Sequence, residues 1–299
     1  MADTVNQTLV TQFTDMVNHE AQQKESFMRG RVIVKPVTGK KFDYQNLGSA
    51  GRAKLVTARH EQVQATQPKH QRRGQIISTF YDAFLFDAND DLQSLVDLES
   101  PYVEAMAAQM AREFDRVAAG AALGDVLTGE NLTTTTTFSG ESGLSVTAGS
   151  GLTYDKLREV KQKFLSKGVG LHADEKVTLY ISDVEHSTLM DQVEVISSDY
   201  RRSDFVVDSG KVTNILGMDV VVFPSNPDED DPILSVSGSD RDCFAAANTG
   251  ICIGVNSEIE IRVEDRPDLV DSKQVKPIFR LGGLRTEPSK VCKITVTNS

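Results

Sequence analysis

Cysteine is scarce in this chain, and the three present, Cys243, Cys252 and Cys292, are odd in number with no C-x-x-C spacing. That pattern gives neither a disulfide framework nor a cysteine-based zinc site, so the thiols are expected to be reduced and partly buried. The five histidines, His19, His60, His70, His172 and His186, are scattered, and none has an H-E-x-x-H context. No metal ligand set and no cofactor is therefore expected. Long apolar runs are missing too. Stretches such as Val220–Phe223 fall far short of the ~20 residues a membrane-spanning helix needs. The N-terminus has no basic stretch followed by an apolar one, so a secretory signal is not expected.

Catalytic signatures are equally thin. Gly140–Gly143 places its serine one residue short of a nucleophile elbow. Gly39-Lys40-Lys41 lacks the upstream glycine and the Ser/Thr of a phosphate-binding loop. Gly168-Val169-Gly170 ends a helical pattern where a dinucleotide fingerprint would open one, and reads as a C-cap. The acidic run Asp228–Asp231 lacks the alternating ligands and internal glycine of an EF-hand loop, and reads as a solvated turn.

What is present is a charge asymmetry. Lys24 to Arg73 holds twelve bases against three acids, a surplus of nine in a chain of net charge −11, which leaves −20 elsewhere. Asp82 to Glu99 then holds six acids and no base. Segregation of this kind suggests a basic part of one molecule facing an acidic part of another. A merely solvated basic loop is the plainer alternative. Nucleic-acid binding is disfavoured, because the basic segment offers only Phe27, Phe42 and Tyr44 for stacking and the acidic remainder repels phosphates.

Hydrophobic periodicity divides the chain. Residues 1–30 are polar and read as an arm without its own core. Arg31–Lys35 reads as a strand stopped by Pro36, and residues 39–74 as a long basic excursion with too few apolar residues to pack alone. Gln75–Tyr81 is β-branched and aromatic. Ser100-Pro101 is read as an N-cap with proline in the first turn, opening a long helix from Pro101 to Leu123 closed by Gly124. Val103, Met106, Met110, Phe114, Val117 and Ala121 supply its apolar stripe. The Gly/Thr/Ser-rich residues 124–152 read as a flexible insert or surface loop.

Further on, Thr153 caps a helix carrying Leu157, Val160, Phe164 and Leu165, and Val177–Ile181 alternates like a strand. Ser182 and Glu185 form a capping box for a helix reaching Val193. Ile215–Phe223 is a buried strand broken at Gly217. Further strands are expected at Ile251–Val255, Ile259–Val263, Val275–Arg280 and Val291–Val296. Mixed helices and strands without a βαβ rhythm give an α+β class.

The stretch Ser78–Gln93, then Asp97–Val103 with the alanine-rich helix, and Leu281-Gly282-Gly283-Leu284-Arg285 between two late strands resemble the major capsid proteins of tailed bacteriophages. The similarity is to a podovirus-like branch of the Hong Kong 97-type fold and runs over nearly the whole chain. It implies an N-terminal arm (1–30), an E-loop with flanking strands (31–78), a peripheral domain with its spine helix (79–124), an axial domain (125–254) and a return to the peripheral domain (255–299). The implied function is structural, not enzymatic: hexamers and pentamers of an icosahedral phage head enclosing double-stranded DNA, in a virion assembled in the host cytoplasm. Implied partners are other copies of the chain, a portal protein, a separate scaffolding protein and, optionally, a decoration protein. DNA would be enclosed with little or no sequence-specific contact, and no membrane is involved.

Within that scheme the basic inter-subunit residues are Lys40, Lys41, Arg52, Lys54, Arg59, Lys69, Arg72 and Arg73. The acidic ones are Asp87, Asp90, Asp91, Asp97 and Glu99. No lysine–asparagine crosslink pair is identified. An encapsulin-type compartment with the same fold, and an unfamiliar hydrolase with its site between two α/β parts, are the rival readings.

Overall fold

A computed structural model describes residues 23, 25–48, 51–53, 55, 62, 65, 67–86, 99–141, 143–192, 212–225, 232–266, 268 and 272–297. In chain order the elements begin β1 (Ile33–Pro36), β2 (Lys41–Leu47), β3 (His70–Ile76), β4 (Ser78–Tyr81), β5 (Phe84–Phe86) and α1 (Glu99–Leu123). They continue β6 (Val126–Thr128), β7 (Thr134–Thr136), β8 (Leu144–Ser150), α2 (Tyr154–Ser166), β9 (Val177–Ser182) and α3 (Asp183–Met190). The rest are β10 (Asn214–Ile215), β11 (Met218–Phe223), β12 (Val236–Ser237), β13 (Asp240–Ala247), β14 (Ile251–Arg266), β15 (Ser272–Arg285) and β16 (Val291–Thr297). Val193 and the run Asp228–Asp231 lie outside the described residues.

The main core is built on a seven-stranded sheet in the order β10-β11-β9-β13-β16-β8, with β12 on β13. Val177–Ser182 does not alternate. All six residues are buried, because β9 lies between parallel β11 and antiparallel β13 and both its faces are covered. Tyr180 stacks on Phe244 with ring centroids 4.7 Å apart. β13 was not expected; its charged start, Asp240-Arg241-Asp242, hides a strand whose other five residues are buried. The break at Gly217 is a two-residue hairpin turn, with Leu216 and Gly217 both at positive φ.

α2 ends in a Schellman motif. Gly168 N–H donates to Leu165 O and Val169 N–H to Phe164 O, each at 3.0 Å, with Gly168 at φ +80°. Thr153 occupies the N-cap position without a side-chain capping bond. The Ser182/Glu185 capping box is present.

A five-stranded sheet, β1-β14-β15-β4 with β5 also on β15, carries α1. The two strands expected at 251–255 and 259–263 are one strand, with irregular pairing at Val255/Ser257 and Ser257/Glu260. Gly282 and Gly283 permit this layering. A Cβ on Gly283 would sit 2.6 Å from Ala121 Cβ in α1, and one on Gly282 would sit 2.6 Å from Ile76 O. α1 starts at Glu99, so Ser100 is inside the helix and is not its cap. Gly124 is needed because a Cβ there would strike Gly120 O at 2.5 Å, not because of a left-handed φ.

A four-stranded sheet, β2-β3-β6-β7, completes the described fold. The Gly/Thr/Ser-rich stretch is therefore not simply a loop. It supplies β6 and β7 to this sheet and β8 to the seven-stranded one, since pairing partners elsewhere order threonines that carry no apolar pattern. The domain limits shift accordingly. A boundary at 254/255 cuts β14, and β16 pairs between β13 and β8 in the seven-stranded sheet, not with the five-stranded one.

Candidate assembly surface

The β2–β3 hairpin is the stem of the basic excursion, and alternation gives it two different faces. Phe42 is buried and Tyr44 half-buried on one face, with Lys35 Nζ 4.6 Å from the Tyr44 ring centre. Lys41, Asp43, Gln45 and Leu47 are exposed on the other. Lys40, Lys41, Arg52 and Lys69 are exposed and make no ion pair with another described residue. Leu55 is 84% exposed, the extreme among large apolar side chains of the described residues. Arg72 Nε pairs with Asp43 Oδ2 at 2.8 Å across the hairpin, which holds the Asp43 carboxyl below its ordinary range. Lys54 and Arg59 lie outside the described residues.

Arg73 is placed differently from the rest. Its side chain is buried, and Nη1 pairs with Glu141 Oε2 at 3.0 Å inside the chain. A charge already enclosed is not available to a neighbour, so Arg73 leaves the expected inter-subunit set. Glu141 also takes Arg285 Nη2 at 2.7 Å, and Arg285 is fully buried, its guanidinium 4.8 Å from the Phe138 ring centre. Burial pulls the Arg285 pKa down, against the pull of Glu141.

Of the acidic set, Asp87, Asp90, Asp91 and Asp97 lie outside the described residues, and Glu99 is the first residue of α1. The sheet edge leading to them, β4 and β5, exposes Tyr81 and Leu85 beside Asp82. Apolar side chains exposed at a sheet edge are the kind of surface that another chain can cover.

The described part of the arm is held against α1, where Arg112 Nη1 also donates to Gln23 O at 3.2 Å, and Phe27 lies 5.9 Å from the Phe223 ring. Asp115 in α1 is fully buried and accepts from Gln23 Nε2 (2.6 Å), Ser26 Oγ (2.5 Å), Phe27 N (2.9 Å) and Met28 N (3.0 Å). Burial pushes its carboxyl above the ordinary range in spite of these donors. Sequence reading missed Asp115, Glu141 and Arg285. Asp115 carried a signal, because it sits three residues before Ala118 on the alanine face of α1 and is a charge on a buried stripe. Glu141 carried none.

Crevices flank these elements. One, of about 690 Å³, opens beside the hairpin between Gln45, His70, Arg72, Glu130 and Thr136. Another, of about 540 Å³, lies between α1 and the seven-stranded sheet; its Asp242 is already paired with Lys293 at 2.7 Å. Among the described residues no cluster of His, Cys, Asp and Glu could hold a metal, and no helix is long and apolar enough to cross a membrane.

An arm anchored under a long helix, a projecting hairpin and a separate seven-stranded sheet define a shell-subunit architecture, the Hong Kong 97-type capsid fold. Solved structures share it over nearly full length: cyanophage Pam1 capsid (TM-score 0.71, 11% identity, 95% of both chains), Mycobacterium phage Che8 (0.68, 16%, 94% of this chain and 95% of that one) and bacteriophage PhiM1 mature capsid (0.68, 12%, 96% and 92%). The family model described as phage capsid protein matches residues 5–298, so the chain belongs to the phage capsid protein family and is a structural subunit of the virion. The encapsulin-type alternative is not favoured by that match. Among curated proteins none matches the chain.

Proposed function

We propose that this chain is the major capsid protein that closes, as hexamers and pentamers, an icosahedral head around double-stranded DNA. The basic hairpin lies across a neighbouring copy's β4–β5 edge and the acidic stretch 82–99. The observation that carries this reading is the pairing of unspent features. The hairpin exposes Leu47, Leu55, Ile76 and cations that make no ion pair among the described residues, while the β4–β5 edge exposes Tyr81 and Leu85 in a sequence that holds six acids from Asp82 to Glu99.

Individually, exposed ion pairs contribute ~0–1 kcal/mol. Repeated around a shell they accumulate, yet each stays weak enough for misplaced subunits to leave. The acidic remainder keeps packaged DNA from adhering. A portal protein and a separate scaffolding protein complete assembly in the host cytoplasm, and the subunit needs no cofactor and performs no catalysis.

The test substitutes Arg52, Lys54, Arg59 and Lys69 together by serine. The subunit should keep its native melting curve while shell yield, counted by electron microscopy, falls. Replacing Asp87, Asp90, Asp91 and Asp97 by asparagine should do the same. A normal yield of shells from both variants would rule out the docking. Arg73→Ser behaves differently: it uncovers buried Glu141 and lowers stability of the subunit itself.

A further inference from the structure

We propose that Glu141 is a clamp that fixes the angle at which the docking hairpin leaves the body of the subunit. This rests on the docking reading above and concerns the same hairpin at its root, not its contact face. Four pieces of chain that are distant in sequence meet in the cluster around this one carboxylate. Arg73 comes from β3, Arg285 from the end of β15, and Glu141 from the turn between β7 and β8. The fourth is the C-terminal end of α1, because Arg285 Nη1 also donates to Ala122 O at 2.9 Å and Gly124 O at 3.1 Å. Arg73 Nη1 reaches Arg285 O at 3.4 Å.

As a stabiliser this cluster is poorly made. Two buried guanidiniums share one carboxylate, and Nε of both Arg73 and Arg285 has no hydrogen-bond partner among the described residues. Buried ion pairs lose in desolvation much of what they gain in attraction, and apolar side chains of similar volume often do as well. What charged hydrogen bonds supply and apolar contacts do not is direction, since they weaken steeply off their preferred angle. The opposite face of the strand is held as well. Leu132, at φ +53°, presses its side chain onto Gly74, where a Cβ would stand 2.5 Å from Leu132 Cδ1. Neighbouring residues of one strand point to opposite faces, so the hairpin root is gripped by ions at Arg73 and by a leucine at Gly74.

The experiment uses the full chain with Gln45→Cys and Val236→Cys as spin-label sites. The three native cysteines are buried and stay unlabelled. The hairpin-to-sheet distance distribution, the melting temperature and the initial rate of shell assembly are compared between the native chain, Glu141→Gln and the triple variant Arg73→Met/Glu141→Leu/Arg285→Met. The triple variant is expected to melt close to the native chain, to show a broader distance distribution, and to assemble on the order of tenfold more slowly. A folded triple variant with the native distance distribution would overturn the clamp. So would a broadening that, in both variants, only tracks a fall in melting temperature. A broadened distribution with an unchanged assembly rate would uphold the clamp and remove the docking reading instead.

Discussion

The seven-stranded sheet and the hairpin sheet are made from the same chain by opposite means. In the first, Leu179, Ile181, Cys243, Phe244 and Ile294 are fully enclosed, and strands from five separate stretches of the sequence pair with one another. In the second, Phe42 is the one large side chain of β2 that is buried, and the sheet is held by backbone pairing, a cross-strand Arg72–Asp43 pair and the ions at its root. The difference teaches where each region finds its stability. One carries its interior with it; the other packs one face, at Phe42 and Tyr44, on the subunit and leaves the opposite face exposed.

The largest effect expected from this contrast is in the sheet core. Phe244→Ala should cost about 3–5 kcal/mol in urea unfolding. Tyr44→Ala, in the half-buried hairpin, should cost under about 1 kcal/mol. Equal losses would erase the distinction between the two regions. Next comes the arm anchor. Asp115→Ala orphans four donors and should cost about 1–3 kcal/mol, with protease cleavage around residues 25–28 appearing before global unfolding.

A smaller effect separates burial from pairing by pH. The Asp115 carboxyl is raised, so what it contributes to stability is present at low pH and is lost as the pH rises through its folded value. Relative to Asp115→Asn, the native chain should therefore gain stability as it is acidified toward the ordinary aspartate range. The Asp43–Arg72 pair runs the other way, because a lowered carboxyl loses its contribution as the pH falls. Both partners are partly exposed, so that change should be small. The smallest effect is none at all. A thiol reagent should modify no cysteine of the folded subunit and all three in urea, since burial raises the Cys243 and Cys252 thiols and pushes Cys292 up to about 12.

Sequence was most readable where the interior is local. The apolar stripe of α1 from Met106 to Ala121, the C-cap at Gly168 and the Ser182/Glu185 box needed only neighbours in the chain, and each is in place. It was least readable where order comes from a distant strand. Thr134–Thr136 has no apolar pattern and becomes β7 by pairing with β6, which in turn pairs with β3. Asp240–Ala247 begins with three charged residues and becomes a central strand because β9 and β16 flank it. The candidate surface divides in the same way. Basic charge marks the segment that contains the hairpin, and Lys40, Lys41, Arg52 and Lys69 are exposed there. Which arginine turns inward depends on Glu141, 68 residues away. Local spacing gives no hint of that.

Amide hydrogen exchange in unassembled subunits and in finished shells of the same preparation addresses the central claim most directly. The account predicts a large gain in protection at residues 41–55 and 67–76 on assembly, with little change in Val177–Ser182 and Cys243–Ala247. Hairpin amides that exchange equally slowly in the lone subunit and in the shell would contradict it.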